Sequence, residues 1–254
     1  MAGRLDGKTA IVTGGSRGIG EAIALAMVRE GAKVIITSRK QEGVDAAAAR
    51  INAEVPDSAV AQACHNGTPE SIDALFEWLD AEGMKIDILV NNAAANPYLG
   101  PMVGSTWGAW DKTFEVNLKG PFHFCRHFAQ RCMADSRKGA IVNVTSVFGM
   151  TAAPFQGIYA MTKAAMISMT RTLAAEWGQA GIRINAVAPG LVDTHFASAI
   201  VQNDAFLRVF TERSAMKRYA QPEEITGVVL YLASDDAGFT TGAVFPVDGG
   251  YTSA

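Results

Sequence analysis

Cysteine, long apolar runs and an excess of either charge are all scarce in this 254-residue sequence. Its three cysteines form no CxxC pair and no even disulfide framework, which favours reduced thiols in a cytosol-like compartment. No apolar run reaches membrane-spanning length, and the first residues contain no apolar segment typical of a signal peptide. A formal net charge of -3 argues against a nucleic-acid surface. We therefore expect a cytoplasmic protein with neither a membrane nor a nucleic acid as partner.

Short apolar segments alternate with helical segments along the whole chain. Hydrophobic residues make up 49% of the sequence and charged residues 19%, as in a globular protein. The predicted strands are Lys8–Thr13, Lys33–Ser38, Val60–Cys64, Ile86–Val90, Ala140–Thr145, Ile182–Val187 and Ala243–Val247. This alternation predicts an α/β fold with a parallel sheet and helices on both faces. We find no repeat, linker or low-complexity segment, so we expect one domain over residues 1–254.

A glycine-rich turn follows the first predicted strand. Gly14, Gly18 and Gly20 stand between that strand and a helical run over Glu21–Glu30. Strand, glycine turn and helix together form a phosphate cradle, because backbone N–H groups and the helix N-terminus face an anion. The spacing differs from GxGxxG, and an ordinary strand-to-helix turn is the alternative.

The end of the second predicted strand indicates which dinucleotide the cradle binds. An acidic residue there would bind a free ribose 2′-hydroxyl, whereas arginine accommodates a 2′-phosphate. Here the chain reads Ser38-Arg39-Lys40, and Arg17 lies in the glycine turn. Guanidinium groups suit phosphate oxygens, so we predict NADP(H) rather than NAD(H). Two solvated surface arginines are the alternative.

Tyr159 and Lys163 are four residues apart on a predicted helix that runs to about Gly178, and Ser146 ends the fifth predicted strand. This spacing places the phenol and the ammonium on one helix face. A neighbouring cation favours the phenolate, so we expect a lowered Tyr159 pKa suited to proton transfer. A serine hydroxyl nearby would hold a substrate oxygen in reach of the phenol. The spacing alone also fits a half-buried tyrosine beside a solvated lysine.

A predicted helix from about Trp107 to Met133 contains Asn117 and Pro121. Pro121 has no N–H, so the Asn117 carbonyl is expected to lose its helical partner at a kink. That acceptor would hold a water beside an active site; a merely kinked packing helix is the alternative. His123 and His127 share a face further along. No third ligand is evident, so we expect packing or subunit contact there and no metal.

Taken in order, these motifs resemble the short-chain dehydrogenase/reductase family over essentially the whole chain. The resemblance rests on residues 13–20, Asn91-Asn-Ala-Ala94, Asn117, Ser146, Tyr159-xxx-Lys163, Pro189-Gly190 and Val247-Asp-Gly-Gly250. It implies a single Rossmann-type, doubly wound domain that interconverts a carbonyl compound and an alcohol. Tyr159 would be the general acid or base and Ser146 would bind the carbonyl oxygen. Lys163 would bind the nicotinamide ribose and lower the Tyr159 pKa, and Asn117 would hold a water linked to Lys163.

The resemblance also implies a set of cofactor contacts. These are Gly14, Ser16, Arg17, Gly18, Ile19, Gly20, Ser38, Arg39, Lys40, Asn92, Ala93, Ala94, Tyr159, Lys163, Pro189, Gly190, Val192 and Thr194. The family often has glycine where Ala94 stands. It also usually has an aspartate after the third strand, where this chain has His65 and Asn66. We expect both residues near the adenine without an acid-to-adenine bond.

Residues 37–41 and 92–97 look like those of NADP-dependent carbonyl and retinal reductases. The alternatives are 3-oxoacyl-[acyl-carrier-protein] reductases, which commonly carry a basic residue at the position of Ala175, and sugar or steroid dehydrogenases. A non-catalytic NADP-sensing scaffold is the alternative outside the enzymes. The expected pocket walls contain Tyr98, Phe148, Phe155, Phe196 and Phe206, which favour an apolar or aromatic carbonyl substrate.

The segment from Leu191 to Ala215 has weak periodicity and is expected to be a long loop that acts as a lid. The resemblance further implies a homotetramer, or a homodimer, through the helices of Asn117 and Tyr159. Apolar side chains expected at that interface are Phe122, Phe124, Phe128, Met166 and Met169.

Overall fold

A computed structural model describes residues 3–253, with the side chains of all of them except Ala199 and Phe206. Its seven strands form one parallel sheet in the order β3-β2-β1-β4-β5-β6-β7. They are β1 (Thr9–Thr13), β2 (Lys33–Ser38), β3 (Ala59–Ala63), β4 (Ile88–Asn91), β5 (Gly139–Val144), β6 (Ile182–Pro189) and β7 (Val244–Val247). All seven predicted strands are present, with ends shifted by up to two residues. The single doubly wound domain is confirmed.

Helices cover both faces of the sheet, so the central strands are buried on both sides. Adjacent side chains on a strand point to opposite faces. Accordingly Ile11 belongs to one hydrophobic cluster and Val12 to the other. Their registered partners on β2, Ile35 and Ile36, divide in the same way. Such apolar, β-branched strands are stable only when helices cover both faces.

Nine α-helices connect and flank the strands within the described residues. They are α1 (Gly18–Arg29), α2 (Gln41–Glu54), α3 (Pro69–Ala81), α4 (Trp107–Phe114), α5 (Gly120–Ala134), α6 (Gly157–Trp177), α7 (Ser198–Val201), α8 (Asp204–Arg213) and α9 (Glu223–Ala233). None of the described helices is long and apolar enough to cross a bilayer.

The single helix predicted from Trp107 to Met133 is interrupted. A π-helical turn over Glu115–Lys119 separates α4 from α5 and contains Asn117, and Pro121 follows in the first turn of α5, so the interruption lies where Pro121 predicted a kink. The Asn66 side chain also contributes to this interruption of the helix, because its Nδ2 donates a hydrogen bond to the Val116 carbonyl at 2.7 Å. A Cβ on Gly120 would lie 1.7 Å from the Asn66 carbonyl oxygen. The loop after β3 therefore presses directly against this turn.

The predicted lid is helical rather than a loop. A 3₁₀ turn over His195–Ala197 leads into α7, and α8 follows after two residues. Helix α8 directs Phe210 toward the body of the protein, where its ring lies 5.4 Å from that of Phe148. Burial of this aromatic face provides the stabilisation that the weak local periodicity does not indicate. The segment is thus a packed cover over the carboxyl edge of the sheet.

Candidate active site

The glycine turn lies at the carboxyl edge of β1 and is shaped by close backbone contacts. Gly14 and Gly18 adopt positive φ angles of 66° and 60°. A Cβ on Gly20 would lie 2.4 Å from the Gly14 carbonyl oxygen, so a side chain there would displace the turn. No side chain caps the N-terminus of α1. Its backbone N–H groups are consequently available to an anion, as a phosphate cradle requires.

Asn92 fixes this turn against the neighbouring strand. Its Nδ2 donates to the carbonyls of Thr13 and Gly14 at 2.9 and 3.2 Å. In return, Thr13 Oγ1 accepts from the backbone N–H groups of Asn92 and Ala93 at 3.0 and 3.1 Å. A Cβ on Gly14 would lie 2.9 Å from the Ala93 Cα. Hydrogen bonds thus hold the glycine turn and the predicted Asn92–Ala94 segment together as one side of the site.

Two further contacts, which the sequence analysis missed, hold the turn from its outer side. On α2, Arg50 Nε donates to Glu21 Oε1 at 2.7 Å, and an Arg50 guanidinium N–H reaches the Ser16 carbonyl at 3.4 Å. Gly43, also on α2, brings Ser16 and Ser38 together, because a Cβ there would lie within 3.9 Å of both side chains. The turn and the end of β2 are therefore adjacent, as predicted.

Several cationic side chains lie beside the contact between the glycine turn and the end of β2. Arg17, Arg39 and Lys40 are exposed, as phosphate-binding groups need to be. Lys112 of α4 adds a cation that the sequence analysis missed, with its Nζ 3.1 Å from His65 Nε2. Burial, and then the charges of Lys112 and Arg39, hold the His65 pKa below its usual range. This end of the site is suited to a dianionic phosphate.

The predicted adenine residues have different roles in the structure. The His65 ring accepts the Gly67 N–H at 3.2 Å through Nδ1, which also lies 3.0 Å from Thr68 Oγ1. Asn66 uses its Nδ2 to hold the π-helical turn, whereas its buried Oδ1 has no hydrogen-bond partner among the described residues. The missing carboxylate is thus not replaced by another acid. The buried Asn66 Oδ1 acceptor lies next to the position where the family usually has that aspartate.

Ser146, Tyr159 and Lys163 meet at the end of β5. Ser146 Oγ accepts from the Phe148 N–H at 3.2 Å and is hydrogen-bonded to the Tyr159 phenol. Lys163 lies with its Nζ 5.5 Å from the centre of the Tyr159 ring and donates to the Val144 carbonyl at 2.8 Å. Lys163 is 1% exposed and Tyr159 8%. The sequence spacing therefore corresponds to a single buried cluster.

Burial controls the proton affinities in this cluster. It raises the pKa of Tyr159 to about 12, although the hydrogen bond with Ser146 offsets part of the rise. It lowers the pKa of Lys163 to about 7. The lowered Tyr159 pKa expected from the neighbouring cation is wrong for the protein alone, because desolvation raises the pKa and only the hydrogen bond with Ser146 opposes that rise.

Asn117 lies fully buried within the π-helical turn. Its Oδ1 accepts from the Ala95 N–H at 2.7 Å, and its Nδ2 donates to the Ala95 carbonyl at 2.9 Å. The same Nδ2 donates to Thr162 Oγ1 at 3.2 Å, and Thr162 donates to the Tyr159 carbonyl at 2.7 Å. The Asn117 side chain therefore connects the loop after β4 to the helix of Tyr159. The prediction from the sequence concerned only the backbone carbonyl of Asn117 and did not include this bridging role.

The loop after β6 forms the opposite wall. Gly190 is required by close packing, since a Cβ there would lie 2.9 Å from the Asp248 Cα. Val192 is buried and pairs with Ala220. The Thr194 methyl group reaches the glycine turn, 3.2 Å from where a Gly18 Cβ would stand. The predicted nicotinamide side thus borders the phosphate cradle.

Aromatic rings line the space in front of the cluster. The Phe196 ring is 50% exposed and lies 5.8 Å from that of Tyr159. Phe155 is also exposed and has a φ of 66°, which is strained for a bulky residue. Its carbonyl accepts from the Gly100 N–H at 2.9 Å, which ties the two predicted wall loops together. Of the other predicted wall residues, Tyr98 donates to Pro101, and the Phe206 side chain lies outside those described.

The lid and the C-terminal segment contribute groups that the sequence analysis left out. Phe210 of α8 stacks on Tyr251 with the ring centres 5.6 Å apart. The Arg213 guanidinium lies over the other part of the same ring, 4.5 Å from its centre. Through Phe148 this group reaches Ser146. A cation therefore lies against the aromatic cluster of Phe148, Phe210 and Tyr251.

Most of the side chains expected at a subunit interface are core residues instead. Phe124, Phe128 and Met166 are at most 1% exposed within the single chain. Met169 is partly buried against the same core cluster. Only Phe122 of this set is exposed, at 44%. That part of the prediction is wrong, because these helices use the same apolar side chains to cover the sheet.

The chain belongs to the short-chain dehydrogenase/reductase family of oxidoreductases. A family model described as enoyl-(acyl carrier protein) reductase matches residues 14–252. Among curated relatives, dehydrogenase/reductase SDR family member 4 of Rattus norvegicus is 35% identical over 249 residues, or 98% of this chain and 88% of the relative. Member 2 of Homo sapiens, a mitochondrial protein by its name, is 34% identical over 97% of this chain and 87% of its own length.

Solved structures agree with the fold in detail. A gluconate 5-dehydrogenase of Burkholderia cenocepacia, in complex with NADP and tartrate, is 33% identical with a TM-score of 0.94, covering 99% of this chain and 97% of that one. A structure described as a putative NAD(P)-dependent gluconate 5-dehydrogenase of Beutenbergia cavernae, with bound NADP, is 35% identical with a TM-score of 0.93 and 98% coverage of both chains. The glycine turn of this chain, followed by a helix N-terminus without a side-chain cap, offers the backbone donors that the phosphates of such a dinucleotide require.

Proposed function

We propose that the protein is an NADP(H)-dependent oxidoreductase that interconverts a ketone or aldehyde and the corresponding alcohol. The observation that carries the proposal is the meeting of Ser146, Tyr159, Lys163 and Asn117 in one buried cluster beside a glycine cradle. A scaffold that only senses NADP has no need of this complete set. Catalysis is therefore the better explanation.

The cluster is arranged for proton transfer. Because the pKa of Tyr159 is about 12, the phenol holds its proton at neutral pH and acts as the general acid toward a carbonyl oxygen. Ser146 supplies a hydroxyl that steadies the developing negative charge on the same oxygen. Lys163 stands behind the phenol and favours the phenolate left after transfer, which reverses in alcohol oxidation. The bound dinucleotide supplies or accepts the hydride.

The choice of NADP(H) rests on the cations around the 2′ position. Arg17, Arg39 and Lys40 would border it, Lys112 adds a further cation beside His65, and no carboxylate ends β2. A carboxylate would compete with the phosphate, whereas guanidinium groups bind it in paired hydrogen bonds. We expect Arg39→Asp to lose most of the NADPH affinity while NADH affinity is retained or rises. Equal NADPH and NADH affinities in the wild-type protein would contradict the assignment.

Two substrate classes are favoured by different parts of the pocket. The exposed rings of Phe155 and Phe196 favour an apolar or aromatic carbonyl compound. Arg213, stacked on Tyr251, favours a substrate with a carboxylate at its far end. The similar structures named as gluconate dehydrogenases support this second class. We place the aromatic or apolar class first because the Phe196 ring lies 5.8 Å from the Tyr159 ring.

The test is NADPH oxidation with a carbonyl panel of aromatic ketones, α-diketones, ketoesters, retinal, ketogluconates, steroids and acetoacetyl thioesters. We expect turnover of the first three groups and its loss, by at least about a hundredfold, in Tyr159→Phe. Tyr231→Phe is the matched control: this phenol, on α9, is hydrogen-bonded to Thr240 and not to Ser146 or Lys163, so turnover should be unchanged. Tight NADPH binding with no turnover of any compound would favour the sensing scaffold.

A further inference from the structure

A cluster of two histidines and one aspartate lies between α3 and α5. His123 Nε2 and His127 Nε2 lie 2.7 and 2.6 Å from the same oxygen of Asp73, Oδ1. The two Nε2 atoms are 3.3 Å apart. The proposed oxidoreductase function uses none of these three residues. The histidine pair was predicted to serve packing because no third ligand was evident, and Asp73 now supplies one from fifty residues away.

The three ligand atoms match the coordination geometry of a zinc-type ion. Bonds of about 2.0–2.1 Å in a tetrahedral arrangement place ligand atoms about 3.3 Å apart. The two nitrogens already have this separation. The Asp73 oxygen has to move outward by about 0.6–0.7 Å to reach it, a small rotation for a carboxylate that is 44% exposed. Two imidazole nitrogens and one carboxylate oxygen form a common zinc ligand set, which leaves a fourth position for water.

The histidines are held in place before any ion arrives. Both side chains are 15–17% exposed. The His127 ring stacks on Phe76 with the ring centres 4.7 Å apart, and His123 packs edge-on against His127. Because the rings are positioned by neutral packing contacts, binding an ion requires little reordering of them. The exposed carboxylate leaves a route for the ion from solvent.

Arg131 opposes binding through a specific proton arrangement. Its guanidinium N–H lies 3.0 Å from His127 Nδ1, and the group also forms two bonds to Asp80. An arginine has no acceptor, so His127 Nδ1 accepts and Nε2 carries the proton. A metal at Nε2 requires the proton to move to Nδ1, which then repels the Arg131 donor. The Arg131 guanidinium therefore has to turn away from His127 Nδ1, while its two bonds to Asp80 hold it close to that nitrogen.

We propose that Asp73, His123 and His127 bind one zinc-type transition-metal ion that joins α3 to α5. The site is separate from the carbonyl chemistry and does not depend on it. Magnesium is not a suitable occupant, because it prefers oxygen ligands and retains its waters. The ion would act as a cross-link between two helices that otherwise meet through Phe76 and its neighbours.

The test is a Zn²⁺ titration of the metal-stripped protein against a chromogenic chelator, with Mg²⁺ as a second arm. We expect one equivalent of Zn²⁺ bound with a Kd in the micromolar range and no competition by millimolar Mg²⁺. His123→Gln and Asp73→Asn should each weaken binding at least tenfold, with their folds checked by circular dichroism. His195→Gln, an exposed histidine on the lid, is the matched control and should bind as the wild type does.

Two further results bear on the same proposal. Arg131→Met should bind Zn²⁺ more tightly than the wild type, because it removes the competing donor at Nδ1. At a hundredfold excess over Kd, Zn²⁺ should raise the Tm of the wild type by roughly 5–10 °C and leave that of Asp73→Asn unchanged. A Kd weaker than millimolar, or equal Zn²⁺ binding by the wild type and both ligand variants, would overturn the proposal.

Discussion

Lys163 is expected to lower the free energy of unfolding at neutral pH, because its amine is buried. Its ammonium is 1% exposed and its pKa is about 7, against 10.5 in the unfolded chain. Between those values the unfolded chain binds the extra proton, so stability increases with pH over this window. The difference corresponds to roughly 4 kcal/mol of destabilisation at pH 7 and roughly 1 kcal/mol at pH 10. Lys163→Met removes the titration while keeping most of the side-chain volume.

The measurement is urea unfolding of the cofactor-free wild type and Lys163→Met, followed by tryptophan fluorescence at pH 7 and pH 10. The stability of the variant relative to the wild type should fall by about 3 kcal/mol between the two pH values. Groups away from Lys163 titrate identically in both proteins and cancel in this difference, and the Tyr159 phenol stays protonated in the folded state at both pH values because burial raises its pKa to about 12. The unpaired Val144 carbonyl shifts the variant by a constant amount and does not affect it. Parallel pH dependences in the two proteins would refute the argument.

Three further predictions concern the π-helical turn over Glu115–Lys119, the start of α5 and the assembly of subunits. Asn117→Ala leaves both backbone groups of Ala95 without their partner and should lower stability by about 2–4 kcal/mol in thermal unfolding; an unchanged Tm would contradict the bridging role. Gly120→Ala places a methyl group against the Asn66 carbonyl and should cost at least about 2 kcal/mol. Gly108→Ala, in open space on α4, is its control and should stabilise by about 0.5–1 kcal/mol. Static light scattering at micromolar concentration should give four chains, or two, and a monomer would rule out the assembly that the family resemblance implies.

The sheet and the catalytic residues could be predicted because their signals are local. Buried parallel strands appear as short apolar runs, and Val34–Ile36 or Ile141–Val144 need no distant information to be recognised. Tyr159 and Lys163 are one helical turn apart, so their spacing alone places them together. The carboxyl ends of parallel strands then bring Ser146 and the glycine turn to the same edge.

Features that depend on distant partners could not be predicted in this way. Asp73 meets His123 from another helix, and Lys112 meets His65 across 47 residues. The interruption at Glu115–Lys119 depends on the Asn66 side chain as well as on Pro121. No periodicity or motif in one segment indicates such contacts.

Burial was the other quantity that the sequence could not supply. Lys163 was expected to act on Tyr159 as a full cation, but both groups are so poorly solvated that their pKa values move in the opposite direction from a simple charge pair. Phe124 and Phe128 were assigned to an interface because their helix was expected to present them outward. The structure turns them onto the sheet, where their hydrophobic area is already covered.

The strand order β3-β2-β1-β4-β5-β6-β7 divides the sheet into two sequence-contiguous halves whose strands pair with each other only between β1 and β4. Under the proposed function, most of the cations that would select the coenzyme stand in the first half, before β4, and the side chains that would select the substrate stand in the second. Substitutions that change one property should therefore combine additively with those that change the other. Among the contacts between the two halves, those of Lys112 with His65 and of Thr194 with Gly18 join a substrate-side element to a predicted cofactor-binding residue. Coupling between the two kinds of redesign should be concentrated at these two positions, which makes them the ones to hold constant when either specificity is altered.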